Sequence, residues 1–329
     1  LMFIGLDHHH HLSPDYNAQT LLRWGDPLFP PYTDTPQAFN PATLSPEQQS
    51  QRFGYNNDFI GFMPLAVTSI DARDANQTNG VPSTTSEPSS DLTGAQHFQS
   101  NNSLRGLLCV NHEYAIPHMM FSGYADKQSG YRDTKPEHLA VELQANGHSV
   151  VEIELKNDEW HTVTNSRYTR RITMDTPMQI TGPAAGDKRL QTQADPSGKK
   201  VLGTIGNCAG GKTPWGTVLV AEEGFGKSFG QFSSDTENMP AELRRALERE
   251  RDNFERLSIG TQRARPLGKH YARFDVAQEP REANRFGWMV EYNPYDVDCL
   301  PKKRTCLGRF QHQGTTIVAK ANQPINQYT

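Results

Sequence analysis

The chain has no run of about 18 consecutive apolar residues, so nothing in it reads as a membrane-spanning helix. It has no basic excess either: 33 lysines and arginines stand against 37 aspartates and glutamates, for a net charge of −4. That balance offers no footprint for a nucleic-acid backbone. Four cysteines in 329 residues are too few for a disulfide scaffold. Apolar residues make up 35% of the chain, which is low for a helical globule. The opening Leu1-Met2-Phe3-Ile4 lacks the charged region of a signal peptide. The chain stops at Gln327-Tyr328-Thr329, just after a strand signal, and the two ends together read as those of a fragment.

What is abundant points to a mainly β fold. The 26 glycines and 22 prolines favour many short strands and turns over long helices. Strand signals fall at 105–111, 149–155, 201–205, 217–221, 271–275, 287–292, 305–310 and 316–320. Glu152 and Glu154 alternate with Val151, Ile153 and Leu155, the pattern of a half-buried strand. One long helix is expected over 239–257, where Leu243, Leu247, Phe254 and Leu257 recur at helical spacing, as an insertion on the β framework. A shorter helix is expected over 136–143, and Ser45-Pro46-Glu47-Gln48 has the makings of a capped helix start. Residues 71–102 are polar and read as a surface excursion. Sandwich, barrel and propeller all fit this pattern.

Cys109 sits in an apolar strand signal and reads as a core residue. Cys299 and Cys306 flank Pro301-Lys302-Lys303-Arg304; they either pair in an oxidising compartment or remain free thiols.

Four segments carry candidate chemistry. In Val110-Asn111-His112-Glu113-Tyr114 an apolar strand ends in three polar residues, which either converge on a metal or substrate or satisfy a turn. Residues 206–213 match the phosphate-loop pattern G-x-x-x-x-G-K-[ST], but Pro214 and a strand signal follow where a helix is required. What remains is Cys208 in a glycine-rich turn between two strands: a soft ligand suited to iron, zinc or copper, or a small buried cysteine. Glu222 and Glu223 end the next strand, and alternation sends only one of them inward. If that strand forms a hairpin with 201–205, Cys208 and Glu223 lie at its opposite ends and only loops could unite them. His312 and Gln313 occupy a turn between strand signals.

Together with Leu22-Arg23-Trp24-Gly25-Asp26-Pro27, Phe53-Gly54-Tyr55-Asn56-Asn57-Asp58 and the stretch 288–294, these segments resemble the PhoX family of alkaline phosphatases. The resemblance implies a single domain over 1–329, an incomplete six-bladed β-propeller with loop and helical insertions that covers the first half to two-thirds of such a protein. It implies hydrolysis of phosphate monoesters through a mixed cluster of iron (Fe3+) and calcium (Ca2+). It also implies export to the periplasm or the extracellular space; the chain is expected to be a monomer, and its charge balance leaves no nucleic-acid partner. Matching motifs carry over Glu113, Cys208 and Glu223 as metal ligands, with Glu222 as the alternative to Glu223. Gln313 stands where the family has a ligating glutamate. A glutamine offers a neutral oxygen to a hard cation, so the rival reading is a non-catalytic β-propeller binding module that has lost a ligand. The fragment by itself is expected to be inactive.

Overall fold

A computed structural model describes residues 11–30, 39–66, 94–100, 102–126, 131–233, 239–260, 265–319 and 326–328. Most of the expected excursion over 71–102 lies outside the described residues.

The first sheet holds β1 (Asn57–Pro64), β2 (Arg105–His112), β3 (Gly147–Lys156), β4 (Glu159–Thr162) and β5 (Arg170–Ile172), in the order β1-β2-β3-β4 with β5 also pairing β3. The second holds β6 (Pro177–Thr181), β7 (Lys200–Leu202), β8 (Asn207–Lys212), β9 (Val218–Glu222), β10 (Met289–Tyr292) and β11 (Lys302–Arg304), in the order β7-β6-β11-β10-β9-β8. Only β11 and β6 run parallel in it. β12 (Thr316–Val318) pairs with β13 (Asn326–Tyr328). The fold is mainly β, and none of the described sheets closes on itself.

The sheets share one apolar core. Met63, Cys109 and Val150 from the first pack with Ile180, Val218, Val220 and Val290 from the second, and with Phe225, Phe229, Phe274 and Phe286. Burying a side chain of this size contributes about 1.5–3 kcal/mol. Cys109 is therefore the core residue expected of it.

β3 corrects one expectation. Its alternating pattern predicts a half-exposed strand, yet Glu152 and Glu154 are both buried. Glu152 takes Arg105 Nε at 2.6 Å and the Ser166 hydroxyl at 2.5 Å, and Lys156 pairs with Glu154. Ion pairing, not solvent, satisfies the polar face.

Helices fill the rest: α1 (Pro46–Ser50), α2 (Gly94–Gln99), α3 (Pro117–Met120), α4 (Pro136–Ala145) and α5 (Ala241–Arg256). The Ser45–Gln48 capping box of α1 forms in both directions, at 3.0 and 3.2 Å. α5 turns Ala246, Glu250 and Phe254 inward, and Arg189 grips Glu250 with two bonds of 2.7 Å. Two strand signals are overturned: Ala272–Phe274 and Thr305–Leu307 are 3-10 turns. At the first, the Asp275 side chain collects the N–H groups of Phe232, Ser233 and Ala277, and all that remains of strand pairing is an isolated bridge between Gly230 and Asp275. Of the signal at 201–205 only Val201 and Leu202 fall in a strand, β7. All four cysteines are free thiols. No helix among the described residues is long and apolar enough to cross a membrane.

Candidate metal centre

Two antiparallel pairs present their open ends to one another. In the first, Asn57 of β1 stands opposite His112 of β2, so Asp58 and Glu113 lie beside the same strand ends. Asn56, in the left-handed conformation at φ 55, accepts the Glu113 N–H at 3.1 Å and fixes that corner. In the second, Asn207 of β8 stands opposite Glu222 of β9, and the register slips between Asn207 and Gly210. Cys208 sits within this bulge, and Glu223 follows directly after β9.

Gly206 makes the second corner possible. It has φ +68, and a Cβ there would lie 2.6 Å from Gly224 C and Phe225 N. Its carbonyl accepts the Gly224 N–H at 3.1 Å. Only glycine allows that approach. The partner of β9 is thus β8, not the segment 201–205. Cys208 belongs to a bulged strand rather than a turn, and the expected separation of Cys208 from Glu223 does not arise. The strand at 207–212 also disposes of the phosphate-loop match, which needs a helix there.

The ligand atoms of Asp58, Glu113 and Cys208 all lie within 4.8 Å of one another. Cys208 Sγ is 3.2 Å from Asp58 Oδ2, and the Glu223 side chain also acts on the thiol. Burial, then the charges of Asp58 and Glu223, push the Glu113 carboxyl up to about 7, against the opposing field of Lys227. Burial and the neighbouring carboxylates push the Cys208 thiol up to about 12. One thiol and three carboxylates thus crowd together with too little positive charge around them.

The other sequence candidates fall into place around this group. Glu222 points the opposite way: Oε1 takes Lys303 Nζ at 2.8 Å, and Oε2 accepts the N–H groups of Gly287 and Trp288 at 3.0 and 3.2 Å. Of the adjacent pair, Glu223 is the one beside the thiol. Gln313 arrives through its main chain, its carbonyl taking the Ala209 N–H at 2.7 Å while the residue stays exposed. His112 is structural: Nε2 meets Ser149 Oγ at 2.7 Å, and a Cβ on Gly54 would lie 2.3 Å from its ring. Asp58 is the residue that motif reasoning leaves unassigned. It closes Phe53-Gly54-Tyr55-Asn56-Asn57-Asp58, one of the segments that carry the resemblance, but that match gives it no role.

The donor set fits iron and calcium. A thiolate and carboxylates together suit iron, and carboxylate oxygens suit calcium. A multivalent cation would offset the burial and the neighbouring charges that hold Glu113 high.

A mainly β frame brings an anionic, thiol-containing group together where two sheets meet, a group that could hold a metal ion. The chain belongs to the PhoX alkaline phosphatase family, whose model, described as alkaline phosphatase PhoX, matches residues 3–329. Among solved structures it is similar to Pseudomonas fluorescens PhoX in complex with vanadate, a transition state analogue, with a TM-score of 0.68 and 30% identity. The match covers 93% of this chain and 44% of that one, so this chain spans less than half of that relative's length. No curated protein matches.

Proposed function

We propose that the chain supplies part of the iron–calcium centre of a phosphomonoesterase, with Asp58, Glu113, Cys208 and Glu223 as ligands. The observation that carries this reading is the convergence of Asp58, Glu113 and Cys208 within 4.8 Å, with Asp58 and Cys208 150 residues apart in sequence. A bound cluster would neutralise the two charges of a phosphomonoester and stabilise the leaving alkoxide. The chain's own residues hold and space the ligands: Gly206 seats the Cys208 corner against Gly224, Asn56 seats Glu113, and Glu222 anchors the end of β9 so that Glu223 turns outward. Lys227, whose field already reaches Glu113, is placed to attract an anionic ester.

Family membership supports the finer parts of the same reading: sheets acting as blades of a six-bladed β-propeller, one domain over 1–329 with a helical insertion at 239–257, export to the periplasm or beyond, a monomeric state, and small phosphate monoesters as substrates. One observation favours a second reading, a binding module without catalysis: position 313 offers an exposed amide in place of a carboxylate.

The test is the iron and calcium retained after loading and desalting, in the wild-type chain and in Cys208→Ser. It is paired with phosphate release by a polypeptide carrying the same segment within the full family length. The thiol-free variant should lose its iron and the activity together. Equal iron in both proteins would overturn the assignment. Normal metal content without phosphate release would favour the binding module.

A further inference from the structure

The bulge that admits Cys208 creates a local problem. Where the β8–β9 register slips, the carbonyls of Cys208 and Ala209 leave the regular ladder between the strands. Carbonyl groups in such a setting need a donor from elsewhere. It comes from the other sheet: the Asn111 side-chain amide donates to Cys208 O and reaches Ala209 O at 3.4 Å. Asn111 is fully buried, at 0% exposure.

The amide has a fixed orientation for a chemical reason. Two carbonyl oxygens face it, and only an NH2 can meet them. Its Oδ1 must then point at its cross-strand partner His148, whose Nδ1 lies 2.7 Å away. An amide oxygen only accepts, so His148 Nδ1 carries the proton. The rest of the site agrees. His148 is fully buried, its ring stacks on Tyr292 at 5.6 Å, and its Nε2 has no hydrogen-bond partner among the described residues. Burial, reinforced by Arg171 and Arg170, holds the imidazole neutral, down to about 3. A neutral ring with Nε2 bare is the tautomer that Asn111 demands.

We propose that Asn111, aimed by His148, is the positioning residue that fixes the Cys208 main chain and so sets the thiol between Asp58 and Glu113. The ordered chain of donors runs from His148 Nδ1–H to Asn111 Oδ1, and from Asn111 Nδ2–H to Cys208 O. It joins the first sheet to the second at the one place where the ligands from both must meet. The proposal rests on the metal-centre reading for its purpose, while its geometry stands in the metal-free chain.

The test therefore uses the full chain without metal first. Alkylation of Cys208 by iodoacetamide is followed by peptide mass spectrometry, which separates it from Cys299 and Cys306. Four variants are compared after circular dichroism confirms folding: Asn111→Asp, Asn111→Ala, His148→Phe and His148→Gln. Asn111→Asp keeps the shape but sets oxygen against oxygen. His148→Phe keeps the ring stack but removes the donor, and His148→Gln restores an N–H. The first three should raise Cys208 alkylation about tenfold, the scale of one lost buried hydrogen bond, while buried Cys109 stays protected. His148→Gln should return Cys208 towards the wild-type rate. Cobalt(II) is then added as a probe, and the thiolate-to-cobalt absorption band should weaken in the same three variants and recover in His148→Gln. A merely structural role would not produce that rescue. Wild-type alkylation in Asn111→Asp and His148→Phe, with both proteins folded, would overturn the proposal. If wild-type and Cys208→Ser chains gave the same cobalt spectrum, the metal reading would fail, and alkylation alone would still decide the positioning role.

Discussion

Two carboxylate-rich regions lie back to back at the end of β9, separated by a single peptide bond. On one side Glu222 is buried at 0% exposure against Lys303, also at 0%. Lys303 Nζ lies 3.7 Å from the centre of the Phe286 ring and donates to Arg285 O at 2.9 Å. Nearby, Arg273 meets Glu282 at 2.5 Å. On the other side Asp58, Glu113 and Cys208 converge, the charge of Glu223 acts on Glu113 and the thiol, and Lys227 alone opposes the rise of Glu113. Each charge in the first region has its counter-charge built into the fold. The second region leaves its counter-charge to be supplied. Glu222 and Lys303 of the first region are fully buried, whereas in the second Asp58 is exposed and Glu113 and Glu223 are half-buried; the balance of signs is what separates a structural cluster from a candidate site.

Breaking the balanced side should cost most. Lys303→Met strands Glu222 as a buried anion, and loss of one partner from such a pair costs about 3–5 kcal/mol. Urea unfolding of the purified chain should show that loss, or the variant should fail to accumulate as folded protein. Glu222→Gln should be milder. Burial already draws the Lys303 ammonium down to about 8, so it can shed its proton when its partner goes. Equal tolerance of Lys303→Met and a conservative surface change would erase the distinction between the two regions.

Gly206→Ala comes next. The substitution forces a side chain into φ +68 and against the Gly224–Phe225 backbone. The strain should cost about 2 kcal/mol and should pull Glu223 away from Cys208. Both the unfolding midpoint and the cobalt–thiolate band would report it. A stability loss with an unchanged band would mean that Gly206 shapes the fold without shaping the site.

Glu113→Gln tests the unbalanced side with the opposite sign. In the metal-free chain the wild-type carboxyl is raised from 4.5 to about 7. A raised carboxyl helps the folded state while protonated, and that help fades as pH climbs from about 4.5 through 7. Glutamine has no proton to lose, so the variant should gain about 1 kcal/mol over wild type at pH 8 after discounting for partial exposure. The gain should vanish near pH 4. Added calcium or iron should reverse the order, because the wild type alone can use the carboxylate. A variant less stable than wild type at pH 8 without metal would mean that the site is already neutralised.

The residue types of this comparison were legible in the sequence, and their meeting was not. Glu113, Cys208 and Glu223 stand in recognisable segments, and the spacing of α5 is plain. Strand β8 was hidden because Ala209-Gly210-Gly211 lacks the branched and aromatic residues that mark a strand. Without β8, the pairing of Asn207 with Glu222 has no visible basis, and a hairpin with 201–205 would put Cys208 and Glu223 at opposite strand ends. Asp58 was hidden for a related reason. β1 opens with Asn57-Asp58 and carries Gly61, so it gives a weak strand signal, and the segment 53–58 marks the family without marking Asp58 as a ligand. Alternation misjudged Glu152 and Glu154 because it records polarity without recording which polar groups find a charged partner.

The smallest expected effect is at Gln313. Its main chain is tied to Ala209, one residue from the thiol, while the residue remains exposed. Gln313→Glu therefore adds a negative charge beside the unbalanced cluster without disturbing that tie. In the metal-free chain the added repulsion should lower stability slightly. With calcium present the new carboxylate should tighten binding about threefold, the scale of one partly exposed ionic contact, read by calorimetric titration. The two signs belong together: an anion that is unfavourable alone and favourable with a cation is the signature of the unbalanced region. The same substitution beside Glu222 and Lys303 would have no cation to recruit. If Gln313→Glu changed neither stability nor calcium affinity, position 313 would lie outside the reach of the centre, and the glutamine would carry no argument for the binding-module reading.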